Sequence, residues 1–268
     1  MTHHPETFAA ASAITARDDQ TYGWRVPDGW QQGRGAYGGL VLGTLVRAAV
    51  ASEPEPARRA RVVSGELCAP VLPGEATIAV SHLRRGSGLT YADVRATQGG
   101  EVVARASVLL GADRKVAAPP VARTAPALPP WATLPVVALP APPAPVFTRH
   151  LAFRPTGPLP FSGAATAGAA GYVALQAPPA AVDAPTVVAL LDAWWPAVWA
   201  TLPAPRPMAT VSFTAELLVD PATVDPTAPL AYTARVDGGG GGYVVELREL
   251  WQGDRLLALN HQVFAILG

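Results

Sequence analysis

The strongest constraint on the fold of this chain is that its pattern runs twice. Residues 38–49 read GGLVLGTLVRAA and are followed by a strand-like VVSGEL, a glycine break at RRGSG, and alternating stretches that end in ARASVLLG. The same order returns as VVALLDAWWPAV, ATVSFTAELL, a glycine run, YVVELRELW and LLALNHQVFAIL. Alternation of period two marks half-buried strands, whereas a long, leucine-rich and nearly continuous apolar run marks a helix buried on most sides. A fold that satisfies both patterns repeats one helix-plus-meander unit. Aligned by hand, Gly43 falls near Asp192, Val62 near Thr210 and Val108 near Gln262. The first copy is apolar or empty where the second carries a carboxylate, a hydroxyl and an amide. One polar site on a duplicated scaffold is therefore expected.

Composition narrows the partners. With 268 residues, 50% of them apolar, the chain can bury a sizeable core. A formal net charge of zero and only 15% charged residues provide no basic stripe, so nucleic acid is not an expected partner. No apolar run reaches the roughly 18 residues of a membrane span. The lone Cys68 cannot form an internal disulfide, and MTHHPETF lacks the basic-then-apolar plan of a secretory signal, so a cytoplasmic location is expected. Cys68 reads as a packed thiol. No histidine–cysteine–carboxylate spacing suggests a metal.

Along the chain, residues 1–115 read as an N-terminal repeat, 116–146 as a proline- and alanine-rich linker, and 147–268 as a C-terminal repeat that carries the site. Proline lacks the N–H that a sheet needs, so the linker is expected to be extended, with Trp131 as an anchor onto the body. An edge strand or hairpin is expected between Thr15 and Trp30. Strands are expected at 62–69, 76–84, 89–97 and 101–111, the last three as an antiparallel meander. In the second repeat, HLAFRP and GYVALQAP predict strands, and VVALLDAWWPAV predicts a helix opened by Pro185 and kinked or ended by Pro196. Three long strands follow. The glycine run 238–242 reads as a flexible turn, since no lysine or helix follows it as in a phosphate loop.

The GAYGGLVLGTLVRAA stretch resembles the glycine-pair helix of double-hotdog proteins of the acyl-CoA thioesterase II type. The aspartate-bearing helix, the ATVSF strand and the LLALNHQ strand fit the same family in order and spacing, over all but the N-terminal residues and the linker. The resemblance implies an α+β fold: two antiparallel sheets, each wrapped around a central helix and joined edge to edge, with homo-oligomers built through the sheets. It implies hydrolysis of acyl-CoA thioesters, with coenzyme A present only as part of the substrate and no separate cofactor. Asp192, Thr210 and Gln262 fall on the positions where such enzymes carry their catalytic aspartate, hydroxyl and glutamine.

Chemistry gives these three a reason to meet. Thioester hydrolysis needs a water that is held, deprotonated and aimed. A carboxylate can act as general base, and a hydroxyl and an amide each offer donor and acceptor capacity to fix the same water. Gly38 and Gly39 would allow a backbone amide close to the developing oxyanion. Trp194 and Trp195 read as core residues that also wall an acyl pocket. Arg84 and Arg85 read either as a solvated strand end or as partners for the phosphates of coenzyme A. His261, adjacent to Gln262 in a strand, should point to the opposite face. Taken alone, Asp192 reads equally well as a residue on the exposed stripe of its helix, and a strand threonine or glutamine as solvent-facing. Two rival functions stay open: a non-catalytic acyl-CoA or lipid-binding module, and an acyl-CoA hydratase or dehydratase, although the D-x-N-P-x-H arrangement of the latter is absent.

Overall fold

In a computed structural model, residues 6–18, 20–116, 123–139, 141–142 and 144–267 are described. Much of the linker's first part, residues 117–122, lies outside them. A short helix α1 (Phe8–Ala11) leads into β1 (Ile14–Ala16) and β2 (Thr21–Val26), the expected edge hairpin. A two-stranded ribbon, β3 (Gln31–Gln32) and β4 (Gly35–Ala36), precedes helix α2 (Gly38–Ser52). The meander of the first repeat follows as β5 (Arg59–Leu67), β6 (Gly74–Arg85), β7 (Leu89–Gln98) and β8 (Glu101–Gly111). The second repeat runs β9 (Leu151–Pro155), β10 (Gly168–Leu175), α3 (Ala184–Asp192), β11 (Met208–Leu217), β12 (Leu230–Gly240), β13 (Tyr243–Gln252) and β14 (Arg255–Ile266).

The two sheets expected to meet edge to edge do so through paired strands, and therefore run as one sheet. Twelve strands form a continuous antiparallel sheet in the order β1-β2-β6-β7-β8-β5-β11-β14-β13-β12-β10-β9. The joint is β5 against β11, in register from Phe213 opposite Gly65 to Glu216 opposite Val62. Each half would otherwise end there in a row of unpaired N–H and C=O groups, and pairing satisfies both rows. The second repeat also has a strand more than expected: Gly238–Gly240 belong to β12, and only Gly241 and Gly242, at φ +59° and +83°, make the turn into β13. Two successive positive φ values suit a tight hairpin, which glycine adopts without steric cost.

Helices α2 and α3 pack against each other inside the curl of the sheet. α2 is buried on nearly every side, including Leu40, Leu42, Leu45 and Val46. Its small residues let α3 approach: a Cβ on Gly39 would stand 2.9 Å from the Ala189 Cα, and one on Gly43 would stand 2.9 Å from the Pro185 carbonyl oxygen. The Asp183 side chain caps α3 by accepting from the Thr186 amide, with Pro185 in the first turn. The helix stops at Asp192, shorter than the apolar run predicts. Pro196 offers no N–H and disfavours helical geometry in the residue before it, so the last bond runs from the Ala193 amide to the Leu190 carbonyl. Trp194 and Trp195 thus lie beyond the helix.

Two smaller expectations change. Cys68 is exposed, because it falls one residue past the end of β5. Trp131 lies in a single turn of 3-10 helix and stays 40% exposed, with the Arg154 guanidinium 5.5 Å over its ring. The linker is tied down mainly by backbone partners, Tyr172 Oη donating to the Pro129 carbonyl and Val137 bridging Phe153.

Candidate active site

The polar trio meets at the inner face of the second repeat. Gln262, fully buried on β14, donates both hydrogens of its amide: Nε2 lies 2.8 Å from Asp192 Oδ1 and 2.9 Å from Thr210 Oγ1. Asp192 comes from the end of α3 and Thr210 from the start of β11, so three separate elements converge on one amide. His261 is exposed, as its opposite parity requires.

Thr210 reaches this face only through a β-bulge. Phe213, Ala215 and Leu217 are buried, so strict alternation would turn position 210 outward. The register shifts between Thr210 and Ser212: Thr210 faces Phe264, Ser212 faces Val263 and Phe213 faces Gln262. One extra residue, Val211, reverses the parity upstream and re-aims the threonine inward. Val211 itself is 43% exposed. The first repeat carries the same irregularity, between Ala60 and Val62 on β5, with Ala60 opposite Leu110 and Val63 opposite Val108. Matching the bulges puts Ala60, rather than Val62, in the place of Thr210, and Val108 in the place of Gln262. Counting from the helix caps Tyr37 and Asp183 puts Val46, rather than Gly43, in the place of Asp192. In either pairing, the first copy has no base, hydroxyl or amide at these positions. A cavity of about 430 Å³ opens there, lined by Ala60, Arg47, Arg58, Arg59, Asp183 and Asp220 among others.

The Asp192 side chain is only 8% exposed. Burial holds its carboxyl above the ordinary value of 3.8, against the opposing pull of Arg248, the Gln262 amide and the Gly39 backbone amide. Of the glycine pair expected near an oxyanion, Gly39 bonds the Asp192 carboxylate through its backbone amide, and Gly38 leaves room for it. A Cβ at Gly38 would stand 2.7 Å from Asp192 Oδ2, so the position must be glycine for Asp192 to sit over the start of α2. The positive end of that helix favours a negative group there.

Two site residues escaped the sequence reading. Arg248 and Glu246, both on β13 and both fully buried, lie on the same face by their two-residue spacing. Arg248 Nη1 is 3.8 Å from Asp192 Oδ1, and its Nε and Nη2 donate to Glu246 Oε2 at 3.3 and 3.2 Å. The available signal was an opposite-charge pair at i and i+2, Glu246 and Arg248, within YVVELREL, a stretch that also carries Glu249 at the opposite parity.

The remaining expected residues divide. Trp194 is buried, stacked on Tyr232 at 4.9 Å and edge-on to Phe153, with Trp195 partly buried beside it. They form an aromatic cluster that follows Asp192 after one alanine. Arg84 and Arg85 end β6, which is separated from β11 by β7, β8 and β5, and they do not join the trio. Arg84 is exposed, and Arg85 Nη2 is bonded to Glu53 Oε1 at 2.8 Å. Among the described residues, no group of three histidine, cysteine or carboxylate side chains is placed to hold a metal. Among the described residues, no helix is long and apolar enough to cross a membrane.

Chemically, the arrangement leaves specific atoms free. Thr210 Oγ1 accepts from Gln262, so its own hydrogen remains to be donated. The Gln262 carbonyl oxygen has no partner among the described residues. A water in contact with these groups and with the carboxylate would be both held and deprotonated.

A family model of the acyl-CoA thioesterase N-terminal domain matches residues 26–111, and one of the acyl-CoA thioesterase C-terminal domain matches residues 122–266. Among solved structures, a hot dog-fold protein of unknown function from Alicyclobacillus acidocaldarius is 26% identical, with a TM-score of 0.89 over 97% of this chain and 98% of its own. A candidate thioesterase II from Thermobifida fusca YX is 23% identical, with a TM-score of 0.84 over 99% of each chain. The acyl-CoA thioesterase II TesB2 from Mycobacterium marinum is 17% identical, with a TM-score of 0.76 over 97% of this chain and 98% of its own. No curated protein matches the chain in sequence.

Proposed function

The chain belongs to the acyl-CoA thioesterase family, and from that premise we propose that it hydrolyses acyl-CoA thioesters with a water activated by Asp192 and held with the help of Thr210 and Gln262. Asp192 takes a proton from the water as the oxygen attacks the thioester carbonyl carbon. The tetrahedral intermediate then collapses, the C–S bond breaks, and the coenzyme A sulfur leaves with the proton that Asp192 took from the water. Free acid and free thiol result. No enzyme-bound ester is needed, because the nucleophile is the water itself. The observation that carries this reading is the single Gln262 amide bridging the carboxylate and the hydroxyl. Trp194 and Trp195 are the proposed wall of the acyl pocket. A cytoplasmic location and homo-oligomers built through the sheets belong to the same proposal.

The test is thiol release across a panel of acyl-CoA chain lengths, with enoyl-CoA hydration and equilibrium binding measured in parallel. Hydrolysis supports the proposal. Binding without turnover would make the protein an acyl-CoA-binding module, and hydration of an enoyl-CoA would make it a hydratase.

Two expectations follow directly. A base must be ionised to act, so turnover should rise with pH through an acid limb whose midpoint lies above the ordinary aspartate value of 3.8. The same group has the opposite effect on stability. With its folded-state pKa raised, its contribution is fully present below 3.8 and is lost as pH rises through the folded value. Asp192→Asn should therefore gain stability relative to wild type as pH rises through that window. A pH–rate profile and denaturant unfolding at several pH values check both; an acid limb at or below 3.8 contradicts the burial argument.

The second expectation concerns the first copy. Val46→Asp introduced into an Asp192→Asn protein should leave turnover at the level of Asp192→Asn alone. Position 60 is an alanine and position 108 a valine, so the new carboxylate would have no partner to help it hold water. Recovered thiol release in that double variant would show that a carboxylate alone is sufficient.

A further inference from the structure

Arg248 is unusual for an arginine in being wholly inaccessible, and so is its partner Glu246. Removing two charges from water costs several kcal/mol per ion unless geometry recovers it, so a buried pair of this kind calls for a role beyond adhesion. The guanidinium is fully committed by direction. One edge, Nε and Nη2, holds Glu246 Oε2, while Nη1 donates to the Leu191 carbonyl at 3.3 Å and lies 3.8 Å from Asp192 Oδ1. Glu246 is anchored in turn, accepting from the Val198 amide through Oε1 at 3.2 Å. The Phe264 ring lies 5.1 Å from the guanidinium carbon and closes that side. Arg248 thus grips the last carbonyl before Asp192 and the aspartate itself, on a strand that is locked in mid-sheet.

We propose that Arg248, held by Glu246, is a positioning residue for thioester hydrolysis: it fixes the end of α3 and sets how readily the Asp192 carboxylate carries charge. The proposal rests on Asp192 being the base. The groups facing that carboxylate are Arg248 from β13, Tyr232 from β12, Gln262 from β14, and the Gly39 amide and Tyr37 from α2 and its cap, while Glu246 holds the far edge of the same guanidinium. Among the described residues facing it, only Arg248 brings a positive charge, and the second carboxylate on that guanidinium is Glu246. Tyr37 and Tyr232 stay neutral, since burial raises both hydroxyls well above the ordinary tyrosine value. Arg248 favours ionised Asp192, and Glu246, bound to the same guanidinium, competes with Asp192 for its charge.

The charge order makes a prediction with two signs. Glu246→Gln keeps the shape, removes the competing carboxylate, and should move the acid limb of the rate profile to lower pH. Arg248→Gln should move it to higher pH by about 1 pH unit, a roughly tenfold loss of rate on the acid side. Arg248→Lys retains the charge without the fork, so it should leave the limb near its wild-type position but lower kcat with little change in KM. A residue that merely stabilised the fold would not displace the limb in opposite directions. The experiment is a set of pH–rate profiles for wild type and these variants, with Asp192 carboxyl titration read by difference infrared spectroscopy against Asp192→Asn. If Arg248→Gln does not fold, Glu246→Gln and Arg248→Lys decide. An unmoved limb and an unmoved infrared titration in Glu246→Gln, with Asp192→Asn inactive, would overturn the inference. Full turnover in Asp192→Asn would instead overturn the general-base reading beneath it.

Discussion

Asp192→Asn is expected to lower thioester turnover by about 10²- to 10⁴-fold, or roughly 3–5 kcal/mol of barrier, while leaving acyl-CoA affinity largely intact. Asparagine keeps the shape of the side chain and can still accept from Gln262 Nε2, which now lies 2.8 Å from the carboxylate. What it cannot do is take a proton from water. Thr210→Val and Gln262→Ala should cost less, since each removes positioning and leaves the base. Combining either with Asp192→Asn should fall short of additivity, because groups that act on one water act as a unit. Thiol-release kinetics on all four proteins, with binding measured separately, check this. Unchanged turnover in a folded Asp192→Asn protein would make the aspartate structural and end the proposed mechanism.

Arg248→Met is expected to destabilise the protein by about 3–5 kcal/mol, the usual cost of removing one partner of a buried ion pair. The arginine has two acidic neighbours, Glu246 at 3.2 Å and Asp192 at 3.8 Å, and both are shielded from water. Without the guanidinium each carboxylate can relieve its cost only by taking up a proton. Burial already raises both carboxyls and Arg248 lowers them, so its loss raises their folded-state values further. By linkage the deficit should be smallest in acid and grow as pH rises through those values. Adding Glu246→Gln should recover part of the loss, as expected for residues in contact. Denaturant midpoints at acidic and neutral pH, on the single and double variants, test this. A pH-independent loss would mean that packing against Phe264, rather than charge, is what Arg248 supplies.

Much of the fold was legible because burial leaves a periodic trace. The buried face of α2, the β6–β7–β8 meander and the β9 and β10 strands all follow from where apolar residues recur. Pro196 correctly marked a helix end, but the position of that end, and with it the place of Asp192 in the last turn, depended on backbone geometry around the proline. Resemblance brought Asp192, Thr210 and Gln262 together. Period-two alternation alone would have sent Thr210 to the wrong face, since the bulge at Val211 adds a residue without any marker in ATVSF.

The sequence by itself determined the repeat, the alternation of its strands, and the asymmetry of having polar groups in only one copy, because each of these is written in side-chain identity. Tertiary structure alone decided that β5 joins β11 into one sheet, that Gly38 and Gly39 receive a carboxylate, and that Glu246 and Arg248 face inward to meet it. Strand pairing is made by backbone N–H and C=O groups, which nearly every residue offers alike, so the sequence carries little trace of which edge meets which. A charged pair at i and i+2 reads the same whether its face turns to water or to the core. Only the wrapping of the sheet around α2 and α3 settles which.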